Sequence, residues 1–121
     1  MKKVLVVDDD PDLQKIYSEK LTASGYETLL APDATQALYL AKNNKPDLIL
    51  LDIMLPPGAN GFDVYEELQK DDDLKNIPVI VFTNLDTEKD MAEQMGIKDY
   101  IIKAELTPAQ IVERVKEKIG S

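Results

Sequence analysis

The chain has 121 residues and carries 23 acidic against 14 basic side chains, a net charge of −9, with neither cysteine nor histidine. That length suits one domain spanning 1–121, which at this size buries roughly two-thirds of its unfolded surface without a metal or disulfide staple. The missing residue types exclude thiol catalysis, thiolate or imidazole metal sites and a histidine general base, and the acidic balance argues against a broad nucleic-acid or anionic-membrane face. Arg114, Lys116 and Lys118 gather near the end of the chain and read as the solvated face of a helix. No apolar run approaches the ~20 residues of a membrane span. The apolar part of the N-terminus is too short for a signal peptide, so a cytoplasmic location is expected.

The first strand is read over Lys3 to Val7, a consecutive apolar run that ends in Asp8-Asp9-Asp10. Pro11 suits the first turn of a helix, where its missing N–H is not needed. Leu13, Ile16, Tyr17 and Leu21 then set an apolar stripe that Gly25 ends. Glu27 to Ala31 is a second, more mixed strand. Asp33 can cap a second helix with Ala34, Ala37, Leu38 and Ala41 at i, i+3, i+4 and i+7. Asn43-Asn44-Lys45-Pro46 breaks it. Leu48 to Leu51 follows, an unbroken apolar run too short for a helix and too apolar to leave one face in water. Such runs belong to strands covered on both sides in parallel sheets. This one stops at a carboxylate, Asp52, followed by Ile53, Met54, Leu55 and the turn-forming Pro56-Pro57-Gly58.

Gly61 precedes a third helix with Phe62, Tyr65 and Leu68 inward, and Asp71-Asp72-Asp73 reads as a solvated helix end and not a metal site. Pro78 starts a fourth strand, Val79 to Phe82, which ends at Thr83. A short helix with Met91, Ala92 and Met95 is stopped by Gly96, and the fifth strand runs from Asp99 to Ile102 and ends at Lys103. Thr107 and Pro108 supply an N-cap and first-turn pair for a last helix with Ile111, Val112, Val115 and Ile119 inward. Five strand–helix repeats joined by right-handed crossovers make a parallel α/β sheet with helices on both faces. The solidly apolar strands one, three and four belong at the centre and the mixed strands two and five at the edges. That gives the order 2-1-3-4-5 and a crevice between strands one and three.

The strand ends then bring together Asp8, Asp9, Asp52, Thr83 and Lys103. Two like charges ~4 Å apart cost about 4 kcal/mol at an effective dielectric near 20, so three carboxylates in one crevice need an offset. The Lys103 ammonium and a hard divalent cation are the candidates, and an oxygen-only donor set points to Mg2+ over zinc. Aspartate is also an accepted nucleophile for forming an aspartyl phosphate. A metal, a lysine and a hydroxyl would neutralise or hydrogen-bond the phosphoryl oxygens.

Asp-Asp after strand one, Asp after strand three, Thr after strand four and Lys after strand five resemble the response-regulator receiver domain of two-component phosphorelay signalling, over essentially the whole chain. The resemblance implies a flavodoxin-like three-layer sandwich in which Asp52 is the phospho-acceptor. Its donor would be a phosphohistidine on a sensor histidine kinase or a histidine phosphotransfer protein. It implies that Asp9, Asp52 and the backbone carbonyl of Met54 ligate Mg2+ directly and Asp8 through water, while Thr83 and Lys103 grip the phosphoryl oxygens. Tyr100 matches the aromatic switch position, whose ring turns inward as the threonine moves. The switched surface, around the fourth helix, fifth strand and fifth helix, would bind a downstream protein or a second copy of the chain. Catalysis would be limited to self-phosphorylation and self-dephosphorylation, and neither nucleic acid nor membrane is an expected direct partner.

Four departures from the family pattern matter. Ala104 stands where a cis proline usually follows the lysine, and a cis non-proline bond costs ~2.5–4 kcal/mol. A trans bond, a reshaped loop and a shift of Lys103 are therefore expected. Asn84 follows Thr83 where a small residue is usual, which narrows access for a donor. The loop from Leu55 to Gly61 is one residue longer than the common pattern. Met54 and Leu85, both apolar, occupy positions that influence hydrolysis, so slow loss of phosphate is expected. The competing reading is a degenerate receiver that docks proteins without phosphorylation. A haloacid dehalogenase-type phosphatase would need an aspartate where Met54 stands, and a flavodoxin would need a phosphate-binding loop where Asp8 and Asp9 stand.

Overall fold

Each buried strand sends alternate side chains to opposite faces of a sheet, and here both faces are apolar. A computed structural model describes residues 1–55, 60–85 and 87–120. Its strands are β1 (Lys3–Val7), β2 (Glu27–Ala31), β3 (Leu48–Leu51), β4 (Val79–Thr83) and β5 (Asp99–Ile102). They form one parallel sheet in the order β2-β1-β3-β4-β5. The helices are α1 (Pro11–Ala23), α2 (Ala34–Asn44), α3 (Gly61–Gln69), α4 (Lys89–Gln94) and α5 (Pro108–Ile119), with a 3-10 turn over Lys103–Glu105. None of the described helices is long and apolar enough to cross a membrane.

Leu5, Val7, Ile49, Leu51, Val79 and Val81 pack toward α2, α3 and α4, where they meet Ala37, Ala41, Phe62, Val64, Leu68 and Ala92. Val4, Val6, Leu48, Leu50, Ile80 and Phe82 pack toward α1 and α5, against Tyr17, Leu21, Ile111, Val112 and Val115. All four residues of β3 are buried, and burying a large aliphatic side chain stabilises by about 1.5–3 kcal/mol. The central strand is thus the hydrophobic axis of both layers.

Local chemistry sets the helix starts. Asp10 caps α1 by accepting the N–H groups of Asp12 and Leu13 at 2.9 and 3.3 Å. Asp33 caps α2, and reciprocal capping boxes join Asn60 to Asp63 and Thr107 to Gln110. Because Asp10 caps the first helix, Asp8 is left for other work.

Several expected inward positions are corrected. Ile16 is 39% exposed. Leu13, Tyr17 and Leu21 repeat every four residues toward the sheet, and Ile16, one position from Tyr17, is turned roughly 100° away from them. On α4, for which no inward side was assigned, only Ala92 is buried and Met91 is 50% exposed. Tyr65 is half-buried, and Val64 joins Phe62 and Leu68 on the inner side of α3. Strand β4 extends through Thr83, one residue beyond the apolar run. The expected extra length of the loop after Asp52 falls on residues 56–59, outside the described residues. The Lys103–Ala104 peptide is trans, as no described bond is cis.

Candidate functional site

The alternation of the strands carries one step past their ends. Asp8 continues the row of Val4 and Val6, Asp52 that of Leu48 and Leu50, and Lys103 that of Ile101, all on the α1/α5 side. There they meet. Lys103 Nζ lies 2.7 Å from Asp8 Oδ2 and 2.8 Å from Asp52 Oδ2. The other oxygen of each carboxylate is fixed by backbone: Asp10 N–H donates to Asp8 Oδ1 at 2.9 Å and Met54 N–H to Asp52 Oδ1 at 3.1 Å. Asp8 and Asp52 are 1% and 5% exposed, whereas Asp9 faces solvent. One carboxylate oxygen from each of the three lies within 4.8 Å of the other two. Lys103 therefore reaches both carboxylates with an alanine following it.

The lysine rests on an aromatic floor. Its ammonium sits 4.7 Å from the centroid of the Phe82 ring, and the Tyr17 ring meets Phe82 edge-on at 5.3 Å. Such a cation–π contact is worth about 0.5–2 kcal/mol, more as water is excluded. Burial raises the Asp52 carboxyl above the usual carboxylate range, and this outweighs the lowering by Lys103, partly because Asp8 adds a second negative charge. For Lys103, burial alone would lower the ammonium, but bonds and charges from Asp52 and Asp8 raise it above the ordinary lysine value. Burial opposes the charge of both groups, and the difference lies in what offsets it: one cation serves two anions. Lys103 gains from both, while Asp52 shares that ammonium with Asp8.

The remaining expected residues form a second group on the opposite face. Thr83 follows Val79 and Val81 toward α4, is fully buried, and its Oγ1 accepts the N–H of Leu85 at 3.3 Å. Tyr100 pairs with Val81 across the β4–β5 ladder and is a diagonal neighbour of Thr83. Its hydroxyl donates to the carbonyl of Leu85, and its ring packs half-buried against the α2–α4 core. Thr83 and Tyr100 thus hold the same segment after β4. Met54 contributes its amide to Asp52, and its side chain is 56% exposed.

Three contributors were not anticipated from the sequence. Phe82 was read only as strand core, although its pairing with Ile101 places it diagonally next to Lys103. Asn84 was read as an obstacle, yet its Oδ1 accepts the N–H of Ala104 at 3.0 Å. Gly61 was read only as a helix boundary. A Cβ on it would lie 2.3 Å from the backbone oxygen of Asp52 and 2.8 Å from Ile53 Cα.

The donor set fits a hard divalent cation: three carboxylates in reach of one another, one solvent-facing, with no soft ligand. Residues 4–116 match the family described as response regulator receiver domain. Among curated relatives, the polar-differentiation response regulator DivK of Brucella anthropi is 36% identical over 121 residues, covering 98% of this chain and 97% of DivK. Other relatives, named as transcriptional or DNA-binding regulators, are longer, and the chain spans only 44% and 50% of two of them. Among solved structures, a CheY-like receiver domain protein from Methanospirillum hungatei superposes with a TM-score of 0.88 at 28% identity, covering 98% of this chain and 94% of that one. The Mn2+-bound form of the response regulator Rcp1 superposes at 0.81 with 26% identity, over 97% and 93% of the two chains. Sequence and fold agree: the chain belongs to the response regulator receiver domain family, signalling switches of two-component systems.

Proposed function

We propose that Asp52 accepts a phosphoryl group from a phosphohistidine, carried by a sensor histidine kinase or a histidine phosphotransfer protein, and that the resulting charge switches a protein-binding surface. One observation carries this reading: the Lys103 ammonium bridges Asp8 and Asp52 at 2.7 and 2.8 Å in a pocket that Asp9 opens to solvent. A carboxylate oxygen of Asp52 attacks phosphorus, the P–N bond breaks, and its electron pair leaves with the imidazole nitrogen. Asp8, Asp9, Asp52 and the Met54 carbonyl would hold Mg2+, whose charge offsets that of the phosphoryl oxygens in the transition state. Rcp1, with its bound Mn2+, supports a divalent site in this fold. Lys103 turns from the carboxylates to a phosphoryl oxygen, and the Thr83 hydroxyl donates to another. Such donors are already oriented and act where charge develops. Catalysis on this reading is confined to gain and loss of the chain's own phosphoryl group.

The phosphoryl group adds about −1.5 to −2 charge. Thr83 and Tyr100 share the Leu85 segment, so a pull on Thr83 biases the surface of α4, β5 and α5 between two arrangements. A downstream protein or a second copy of the chain reads that surface. With such a kinase or phosphotransfer protein as donor, the exchange would take place in the cytoplasm.

Incubation with acetyl phosphate, with and without Mg2+, tests the reading by intact mass. The expected result is a Mg2+-dependent gain of one phosphoryl mass that Asp52→Ala abolishes. Neither phosphorylation nor Mg2+ binding would leave the phosphorylation-independent docking module as the better account. The exposed thioether of Met54 and the apolar side chain of Leu85 offer an attacking water no strong hydrogen-bond partner. Once donor is removed, the modified mass is therefore expected to persist for minutes or longer in Mg2+ buffer. Decay within seconds would refute that expectation.

A further inference from the structure

The two departures flanking the site residues, Asn84 after Thr83 and Ala104 after Lys103, meet in space. The Asn84 side-chain oxygen accepts the Ala104 N–H at 3.0 Å. We propose that Asn84 is a positioning residue for Lys103: it ties down the start of the 3-10 turn from which the lysine reaches Asp8 and Asp52. The inference rests on the phospho-acceptor reading of the pocket and names a residue on which its rate depends.

The backbone ladder between β4 and β5 ends at the Thr83–Ile102 pair. The next residues, Asn84 and Lys103, lie beyond it. Within the turn, the Leu106 N–H reaches the Lys103 carbonyl only at 3.4 Å, longer than a usual N–H···O bond. The Ala104 N–H stands at the start of the turn, where amides have no acceptor within the turn itself. Asn84 supplies the acceptor and extends the β4–β5 connection past its last backbone pair by a side chain. Its amide points to the turn, so it braces the loop more than it blocks the pocket.

The two residues are complementary. Proline at position 104 would have no N–H to donate, and alanine or glycine at position 84 would have no oxygen to accept. Either change alone removes the contact. Holding the Lys103 backbone matters because a lysine stem is long and flexible, and a misplacement of about 1 Å in a reacting site can lower rates by as much as ~10²-fold.

Asn84→Ala is expected to slow phosphorylation by acetyl phosphate roughly three- to tenfold, the rate equivalent of one neutral hydrogen bond. The fall should lie in the maximal rate, with the half-saturating donor concentration little changed. In an Ala104→Pro background, whose own rate sets the reference, Asn84→Ala should change the rate by less than about twofold, because no N–H remains to lose. NMR supplies a readout independent of phosphorylation. The Lys103 ammonium protons, held between two carboxylates, should exchange faster in Asn84→Ala, and Asn84→Asp, which keeps the acceptor oxygen, should restore slow exchange. A faster rate in Asn84→Ala, as for removal of a plug, overturns the proposal. So does an equal effect in both backgrounds, or ammonium exchange unchanged by Asn84→Ala. Wild-type protein that takes up no phosphoryl group instead overturns the phospho-acceptor reading, and the exchange experiment still decides the role of Asn84.

Discussion

Lys103→Met should lower the rate of phosphoryl incorporation at Asp52 by about 10²- to 10³-fold, the effect typical of removing one oriented donor from a developing oxyanion. Methionine keeps an unbranched stem over the Phe82 ring and removes the charge, so lost packing is not the main change. Stability should fall as well. Asp8 and Asp52 would face each other at 1% and 5% exposure with no cation between them. Breaking a buried pair in this way costs about 3–5 kcal/mol, and the opening at Asp9 moves the expectation to the lower end. The pH dependence follows from the shifts. The folded-state pKa of Lys103 is raised, so its contribution is present throughout the neutral range and is lost only as pH rises through that raised value. Asp52 is also raised. It therefore takes up a proton earlier than an ordinary carboxylate as pH falls, and a proton relieves the repulsion that the ammonium relieved before. Urea unfolding of both proteins should show a large gap at neutral pH that narrows as pH falls through the raised Asp52 value. A rate within a few-fold of wild type would remove Lys103 from the chemistry, and a gap independent of pH would mean that packing, not charge, sets the stability loss.

The second large effect is expected at a residue with no functional group. Gly61 begins α3, and its N–H donates to the Ile53 carbonyl at 2.9 Å. A Cβ there would overlap the backbone oxygen of Asp52 at 2.3 Å. Neither atom is the end of a flexible side chain, so helix or strand end has to move. Overpacking of this kind costs about 1–3 kcal/mol, occasionally more. Replacing glycine by alanine in a helix returns only about 0.4–1 kcal/mol through the unfolded chain. Gly61→Ala should therefore lower the melting temperature by roughly 5–10 °C. One of the two atoms met is the backbone oxygen of Asp52, the proposed phospho-acceptor, so phosphorylation should also slow where the variant is still fully folded. Thermal unfolding by circular dichroism together with the mass assay measures both. An unchanged melting temperature would show that the end of β3 yields without penalty.

The sheet was legible because apolar content ranks the strands: Leu48 to Leu51 carries no polar residue and lies at the centre, while Glu27 to Ala31 is mixed and lies at an edge. The acids at the strand ends were legible for the same reason, since a charged residue closing such a run stands out. Contacts made through space were harder to read. The pairing of Phe82 with Lys103 depends on the register between β4 and β5, which residue order does not specify. The Gly61 contact depends on how closely α3 approaches the end of β3. Asn84 and Ala104, twenty positions apart, each looked like an isolated departure, and only their meeting gives them a common role. Ile16 was misplaced because a stripe of four apolar residues leaves open which three face the sheet.

The division of the sheet into two faces bears on how such a protein can be altered. Asp8, Asp52 and Lys103 lie on the α1/α5 side, while Thr83 and Tyr100 lie toward α4. Changes among the exposed residues of α4 touch neither the carboxylates nor the ammonium. Under the proposed switch, the choice of listener can therefore be redesigned while the chemistry of the pocket is kept, with Thr83 as the proposed hinge between a fixed input and a replaceable output.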